Sequence, residues 1–326
     1  MDRLRRQQLD DALATRILIL DGAMGTMLQA HHPTAADYGG PGLEGCNENL
    51  CHTHPEWIFA VHRAYFEAGA DVVSTNSFQG SPIVLAELGL DGRTHELNVT
   101  AARLARQAAD EFATTSKPRF VAGALGPTTK SMTLRGDVTF QQLRDTYYVQ
   151  ARALVEGGVD LLLFETVFDT HSVKAGLLAI QHLERDLDVR IPLMVSATID
   201  PWGTMLAGQA VDAFYASIGH ADLLSVGLNC STGADAMGDH IRTLARMATT
   251  RISCHPSAGL PNELGEYLET PELLARQLDR FVQSGWLNIV GGCCGTTPAH
   301  IRAIAQMADG RTPRAVNRRR KTRRRS

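Results

Sequence analysis

Short apolar runs alternate with longer helix-like segments along this chain, and this alternation constrains the fold more than any other feature. Eight runs have the length of strands: 17–20, 71–75, 120–125, 160–164, 193–198, 223–228, 251–254 and 287–290. Seven intervening segments have the spacing of helices: 55–68, 96–114, 140–156, 172–183, 210–219, 237–248 and 271–284. Such alternation is typical of parallel strands covered by helices. Eight units in about 300 residues predict a closed (β/α)8 TIM barrel.

A weak internal repeat supports the barrel prediction. A small residue followed by an aspartate precedes the second, fourth and sixth runs, in segments 67–73, 156–162 and 219–224, and 283–288 is a looser copy. Glycine at such a position commonly ends a helix. The recurrence before every second run is expected if one strand–helix unit is repeated around a barrel.

Composition and charge limit the class of protein to which this chain can belong. Of 326 residues, 44% are hydrophobic and 21% charged, which is typical of a globular chain. No apolar run approaches the roughly 20 residues that span a membrane, and the amino terminus lacks a secretory signal. We therefore expect a cytoplasmic protein whose six cysteines are thiols.

The carboxyl terminus differs from the rest of the chain. Nine of the 32 basic residues lie in 311–326, which has no acidic residue, so the remainder carries 23 basic and 35 acidic residues. We predict a barrel domain over 1–310 and a disordered basic tail over 311–326. The tail could touch nucleic acid or an acidic partner, but a solvated terminus is the preferred interpretation, so no nucleic-acid role is expected.

Three cysteines stand at the carboxyl ends of predicted strands. Cys230 follows the run 223–228, and Cys293 and Cys294 follow the run 287–290 between glycines. Active sites of (β/α)8 barrels form at this end, and three thiolates can hold Zn²⁺ with one position open. Adjacent side chains of a strand point to opposite faces, so the glycines must relax the backbone. Cysteines that pack as small apolar groups, a strained vicinal disulfide and redox-active vicinal thiols remain alternatives.

Two acidic positions could bind a charged substrate. Asp21 opens the segment Asp21-Gly22-Ala23-Met24-Gly25-Thr26, whose backbone N–H groups at a helix start could bind an anion. Aspartate and N–H groups could together hold an amino acid, although a phosphate loop or a tight turn has the same pattern. Glu165 closes an apolar run, where a carboxylate rarely lacks a partner. It could bind a cation or accept backbone hydrogen bonds.

Histidines give a weaker signal. His52, His54 and His62 cluster on or before one predicted helix, and His255 follows the seventh run. Their spacing fits no zinc motif closely. We interpret them as surface or packing residues and keep His255 as a weak candidate near the site.

The motifs together resemble those of the zinc-dependent homocysteine S-methyltransferases, over about residues 15–308. Six segments carry the resemblance: Asp21-Gly22-Ala23-Met24-Gly25-Thr26, Thr75-Asn76-Ser77-Phe78, Gly126-Pro127, Phe164-Glu165-Thr166, Leu228-Asn229-Cys230 and Gly291-Gly292-Cys293-Cys294-Gly295. The amino-terminal part, including Asn47-Glu48-Asn49-Leu50, is most similar to the homocysteine-binding module of cobalamin-dependent methionine synthase.

The resemblance implies a set of functional residues. One Zn²⁺ per chain would be held by Cys230, Cys293 and Cys294, and the sulfur of homocysteine would join them. Six positions are expected to contact the substrate: Asp21, Gly22, Ala23, Asn76, Glu165 and Asn229. Of these, the two carboxylates would contact the substrate's amino group, and the glycine–alanine backbone would receive its carboxylate. No catalytic residue is expected beyond the metal site.

One segment departs from the family pattern. Pro256-Ser257-Ala258-Gly259 stands where the family often has Pro-Asn-Ala-Gly. Because the asparagine can approach the metal in some members, the departure leaves the fourth ligand open before substrate binds.

The methyl donor is the main open question. The preferred hypothesis is a split methionine synthase, in which this barrel activates homocysteine and a cobalamin- and folate-binding partner chain supplies methylcobalamin. A self-sufficient enzyme that uses S-methylmethionine, S-adenosylmethionine or betaine is the alternative. A zinc-free barrel with redox-active thiols is the second alternative.

Overall fold

The computed structural model describes residues 3–316 and contains a barrel of eight parallel strands. They are β1 (Leu18–Ile19), β2 (Val72–Ser74), β3 (Phe120–Leu125), β4 (Leu161–Val167), β5 (Leu193–Ala197), β6 (Ser225–Asn229), β7 (Arg251–His255) and β8 (Ile289–Val290). Each strand from β2 to β8 pairs with the next, and β8 pairs with β1. A parallel bridge between Leu20 and Val72 joins β1 to β2. The predicted (β/α)8 TIM barrel is confirmed, and each predicted run overlaps one strand, although β4, β6 and β7 extend beyond the predicted ends.

Helices cover the outside of the barrel. They are α1 (Arg3–Thr15), α2 (Gly25–Gln29), α3 (Leu50–Thr53), α4 (Pro55–Ala68), α5 (Pro82–Ala86), α6 (Thr94–Phe112), α7 (Phe140–Glu156), α8 (Thr170–Leu187), α9 (Val211–Ile218), α10 (Ala234–Met247), α11 (Pro271–Gln283) and α12 (Pro298–Ala308). Capping residues determine where several of these helices begin or end. Thr139 and Gln142 form a capping box at the start of α7. Gly69 ends α4 with a φ of 113°, a conformation that favours glycine.

The repeated polar residue before alternate strands has a structural role. Asp71, just before β2, accepts a hydrogen bond from the backbone N–H of Ile19 in β1 (2.9 Å). Asp160, before β4, accepts one from Val121 in β3 (2.8 Å). Asn288, before β8, likewise accepts one from Ile252 in β7 (3.0 Å). At these three positions the side chain therefore satisfies a buried backbone donor on the preceding strand. Asp222, the copy before β6, is exposed instead.

The first helix closes one end of the barrel. Leu9, Ala12 and Leu13 of α1 form one buried cluster with side chains from the barrel interior, including Phe120 and Leu161 at the starts of β3 and β4. The strand starts are thereby covered by apolar packing. The opposite end, where the strands finish, is left for the polar and cysteine side chains.

The carboxyl-terminal part of the described chain is attached to the barrel. The Arg314 guanidinium donates to the carbonyl oxygens of Ala248 (2.7 Å), Ala245 (2.9 Å) and Thr250 (2.9 Å). Its backbone N–H donates to Leu287 (3.0 Å). Ordered contacts thus extend beyond the predicted domain end at 310. The prediction of a disordered tail otherwise falls on 317–326, which lie outside the described residues.

Within residues 3–316, no helix combines the length and the apolar character needed to cross a membrane.

Candidate functional site

Three cysteine sulfurs meet at the carboxyl end of the barrel. Cys230 directly follows β6, and Cys293 and Cys294 follow β8, with β7 lying between these two strands. The three Sγ atoms lie within 4.8 Å of one another, and those of Cys230 and Cys294 are 3.6 Å apart. Among the described residues, no other group of three or more His, Cys, Asp or Glu side chains converges in a geometry suited to a metal ion.

Backbone contacts between neighbouring loops place the sulfurs. The Cys293 N–H donates to the Pro256 carbonyl (2.8 Å), and the Cys230 N–H donates to the His255 carbonyl (3.3 Å). Cys230 and Ser231 both have a φ of 59°. This left-handed conformation costs of order 1–3 kcal/mol for a residue other than glycine. It persists here because contacts across strand ends hold the turn.

The glycine after the cysteine pair has both a conformational and a steric role. Gly295 has a φ of 75°, and a Cβ atom there would lie 2.1 Å from Cγ of Tyr267. The aromatic ring therefore occupies the space that a side chain would need. This close approach fits the expectation that glycines beside Cys293 and Cys294 relax the backbone.

The thiols are mutually coupled. Hydrogen bonds from Cys230 and Cys293 lower the pKa of Cys294, whereas the contacts of Cys293 with Cys230 and Cys294 raise the pKa of Cys293. One thiolate is therefore favoured and stabilised by its protonated neighbours. A cation is needed for all three to be thiolates together, because like charges at this spacing repel.

The spacing of the sulfurs suits a tetrahedral metal. Zn–S bonds of about 2.3 Å at tetrahedral angles separate sulfurs by about 3.8 Å, close to the 3.6 Å between Cys230 and Cys294. Three sulfur ligands would leave one position open. The residues present therefore fit a tetrahedral, thiolate-bound ion.

Two carboxyls, of buried Asp21 and half-buried Glu165, lie at the same end of the barrel. Asp21 accepts hydrogen bonds from the Ser74 N–H (2.7 Å) and hydroxyl (3.1 Å), yet burial raises its pKa to about 7. The pKa of Glu165 is raised to about 8, first by burial and then by the negative charges of Asp21 and Cys230. Within the described residues, no Arg, Lys or His forms an ion pair with either carboxyl. The pair is thus suited to a cation that comes from outside the chain.

The glycine-rich segment after β1 is joined to the cysteine loop. The Ala23 N–H donates to the Thr296 hydroxyl (3.2 Å), which donates to the Cys293 carbonyl (2.7 Å). The Tyr65 hydroxyl donates to the Ala23 carbonyl (2.6 Å). A Cβ atom on Gly22 would lie 2.6 Å from Thr296 Oγ1 and 2.9 Å from the Tyr65 hydroxyl. The Ala23 N–H would have to exchange its partner to receive a substrate carboxylate.

Asn229 connects strand ends. Its Oδ1 accepts from the Thr166 N–H (2.9 Å), and its Nδ2 donates to Thr166 Oγ1 (2.9 Å) and approaches Cys293 Sγ (3.9 Å). Thr166 has a φ of 57° and lies where the register between β4 and β5 shifts. Asn229 thus fixes a left-handed residue beside Glu165 and one cysteine at the same time.

Asn76 lies on another side of the site. Its Nδ2 donates to the Asn47 carbonyl (2.7 Å) and to Cys51 Sγ (3.4 Å). These bonds join the end of β2 to the turn Asn47–Asn49.

The histidines lie outside the sulfur cluster. His54 pairs with Asp37 and Glu56 and stacks on Trp57. Burial lowers the pKa of His255 to about 4, and its backbone carbonyl, rather than its ring, contacts Cys230. Their side chains therefore serve packing and surface pairing in this structure.

Four residues of the site were missed by the sequence analysis or left without a role: Tyr65, Thr166, Thr296 and Tyr267. The first three carry backbone or hydroxyl contacts across loops, as described above. The Tyr267 ring packs against Gly295, directly after the cysteine pair. Thr296, two residues after the cysteine pair, had a positional signal, whereas Tyr267 reaches the site from a loop without a motif.

Known proteins share both the sequence pattern and the fold. Residues 18–308 match the homocysteine S-methyltransferase family. The metallated form of the homocysteine methyltransferase MmuM from Escherichia coli is 25% identical, with a TM-score of 0.75, over 92% of this chain and 98% of that chain. Its oxidised form, 24% identical with a TM-score of 0.73 over 94% and 99% of the two chains, has the same fold. The chain is therefore an enzyme of the homocysteine S-methyltransferase family.

Proposed function

We propose that this protein transfers a methyl group to the thiol of homocysteine to form methionine, and that one Zn²⁺ is held by Cys230, Cys293 and Cys294. The observation that carries the zinc proposal is the convergence of these sulfurs, within 4.8 Å of one another, from two strands separated by β7. The metallated form of the similar E. coli enzyme lends further support.

A metal at this position would lower the pKa of the substrate thiol. A free thiol of this type has a pKa of about 8.5, so only a small fraction is thiolate at neutral pH. Zn²⁺ bound by thiols favours their deprotonated forms. Three cysteine thiolates outweigh the charge of the ion and leave the substrate sulfur electron-rich. No general base is then needed, which is why no catalytic residue is proposed beyond the metal site.

The carboxyl pair would recognise the substrate amino group. Asp21 is buried and Glu165 half-buried. Both have raised pKa values and lack a cationic partner within the described residues. An ammonium group would stabilise both in the ionised form. The backbone at Gly22 and Ala23 would bind the substrate carboxylate, so that the two ends of the amino acid orient its sulfur.

Asn76 and Asn229 would contribute to the same pocket. The hydrogen bonds of Asn229 to Thr166 support a role in fixing the wall beside Glu165. Those of Asn76 to Asn47 support a similar role on the β2 side.

The preferred donor is methylcobalamin carried by a cobalamin- and folate-binding partner chain. Large apolar side chains are exposed in two loops that follow strand ends: Trp202, Leu206, Leu260, Leu264 and Leu268. The first two follow β5 and the three leucines follow β7, at the end where the cysteines lie. Exposed apolar groups of this size are common at protein interfaces. They support docking of a partner over the metal site.

A self-sufficient enzyme is the second candidate. This chain covers 98% of the similar homocysteine methyltransferase from E. coli, so one barrel of this size accounts for nearly all of that protein. A small donor such as S-methylmethionine, S-adenosylmethionine or betaine would then replace the partner.

Turnover with each donor separates the candidates. Zinc-loaded, reduced protein would be incubated with homocysteine and either methylcobalamin, a cobalamin-binding protein, or one of the three small donors, and methionine would be measured. The split-synthase proposal predicts turnover only with cobalamin donors. Leu264→Asp should then slow the reaction with the cobalamin protein and spare that with free methylcobalamin. Turnover with a small donor alone would favour the second candidate.

The cellular location of the protein and the redox state of its cysteines are part of the same proposal. All six cysteines are unpaired in the structure, which supports a cytoplasmic site of action. The oxidised form of the similar E. coli protein keeps the redox alternative testable. Reversible disulfide formation without bound zinc would support it.

A further inference from the structure

The strand that carries Glu165 contains a β-bulge at its carboxyl end. The pairing of β4 with β5 shifts between Phe164 and Val167, so that Glu165 and Thr166 together lie opposite one residue of β5. Side chains of a regular strand alternate between its two faces. Here Phe164 and Val167 both belong to the apolar cluster that includes the surrounding helices. The bulge therefore lets two consecutive side chains, rather than one, turn away from that cluster.

The bulge is held by Asn229 at the end of β6. The Thr166 N–H donates to Asn229 Oδ1 (2.9 Å), and Asn229 Nδ2 donates to Thr166 Oγ1 (2.9 Å). These bonds cross over β5, which lies between the two strands. Thr166 has a φ of 57°, a conformation that is costly for a residue other than glycine. Because Asn229 is fully buried, any change at Thr166 that breaks the pair would leave its amide group unsatisfied.

The carboxyl group of Glu165 has no such support of its own. Among residues 3–316, none forms a hydrogen bond or an ion pair with the Glu165 side chain. Asp21, by contrast, accepts hydrogen bonds from the N–H (2.7 Å) and hydroxyl (3.1 Å) of Ser74. The direction of the Glu165 side chain is therefore determined mainly by its backbone, and that backbone continues directly into Thr166.

We propose that Thr166 is a positioning residue, which directs the Glu165 carboxylate at the amino group of the substrate through its paired hydrogen bonds to Asn229. The inference rests on the proposed contact between Glu165 and that amino group. Its consequence is selective, because only a ligand with an amino group gains from a correctly directed carboxylate. The compound 4-sulfanylbutanoate has the carbon chain, sulfur and carboxylate of homocysteine but no amino group, and it should be indifferent to Thr166.

Two substitutions separate the hydroxyl of Thr166 from the stability of the fold. Thr166→Gly removes the hydroxyl but adopts a positive φ without strain, so its thermal stability should stay close to that of the wild type. Its affinity for homocysteine should nevertheless fall about tenfold, while its affinity for 4-sulfanylbutanoate is unchanged. Thr166→Ser keeps the hydroxyl and should bind homocysteine within about twofold of the wild type. Calorimetry of proteins with equal zinc content measures these affinities.

A double-mutant cycle tests whether Thr166 acts through Glu165. In the Glu165→Gln background, Thr166→Gly should weaken homocysteine binding little further, because the charge that it positions is already gone. Additive losses would overturn the inference.

The two ligands distinguish failure of the inference from failure of the proposed function. If the wild type prefers homocysteine but Thr166→Gly keeps that preference, or loses affinity for both ligands equally, the positioning role is wrong and the carboxyl pair stands. If the wild type binds both ligands equally, the proposed contact with the amino group is wrong, and the inference falls with it.

Discussion

The negative charge of Asp21, at the end of β1, raises the pKa of Glu165 in β4. The two carboxyls thus interact across the mouth of the barrel, although they lie on strands three positions apart in the sheet. Burial is the larger cause for Glu165, whose pKa is about 8, and it also raises that of Asp21 to about 7. Both groups are therefore protonated more readily in the folded than in the unfolded chain.

Ligand binding should depend on pH accordingly. The stabilisation of the free protein by the protonated carboxyls is present at acid pH and is lost as the pH rises through about 7 to 8. An ammonium ligand compensates by pairing with the ionised forms. We expect methionine, which has no thiol proton to lose, to bind about tenfold more tightly at pH 8 than at pH 6. Calorimetry checks this, and equal affinity at both values would contradict the carboxyl assignment.

Removing one carboxyl should separate substrate binding from metal binding. Asp21→Asn retains a group that can accept from Ser74 but removes the charge. We expect homocysteine affinity to fall at least about tenfold while zinc content stays unchanged, and we expect the free variant to be more thermostable than the wild type at pH 8.5. Calorimetry and thermal unfolding measure the two effects. Unchanged affinity would remove Asp21 as the ammonium partner.

The glycine after the cysteine pair allows a matched test of packing. Gly295 and Gly285 have similar φ values, 75° and 68°. A Cβ atom added at Gly295 would meet Tyr267, whereas one added at Gly285 would have no neighbouring atom within 4 Å. Gly285→Ala should cost about 1 kcal/mol of unfolding free energy. Gly295→Ala should cost at least about 2 kcal/mol more, because it also overpacks the loop. Denaturant unfolding compares them, and equal costs would argue against the steric role of Tyr267.

Truncation at two positions separates the contribution of residues 311–316 from that of residues 317–326. A chain ending at 316 should keep its stability, zinc and homocysteine binding. A chain ending at 310 should also bind both ligands but lose about 2 kcal/mol of stability, because the carbonyl contacts of Arg314 are removed. Arg314→Ala should reproduce most of that loss. Loss of zinc or homocysteine binding in either truncated chain would contradict the view that the tail is dispensable for the site.

The barrel could be predicted from the sequence because its strands are short, apolar and regularly spaced. The repeated aspartates at Asp71 and Asp160 gave a second signal, whose cause became visible only as bonds to the preceding strand. The first helix was not predicted because the segment is highly charged. Its apolar face consists mainly of Leu9, Ala12 and Leu13, which pack under the barrel.

The position of the candidate site could be predicted where one residue type carries the proposed chemistry. The cysteines and the two carboxyls stand at strand ends, where the fold itself brings side chains together. Tyr267 and Thr166 could not be assigned in the same way. Their roles depend on how loops pack and on a left-handed backbone beside Asn229. Tyr267 belongs to no motif, and the motif Phe164-Glu165-Thr166 does not reveal the backbone conformation of Thr166.

Zinc stoichiometry of protein purified under reducing conditions tests the central claim most directly. We predict about one zinc per chain. Cys230→Ser should lose it together with homocysteine binding. The control Cys254→Ala, at a buried cysteine whose sulfur contacts Met237 outside the cluster, should retain it. Zinc-free wild-type protein with intact thiols, or full zinc content in Cys230→Ser, would contradict the proposed metal site.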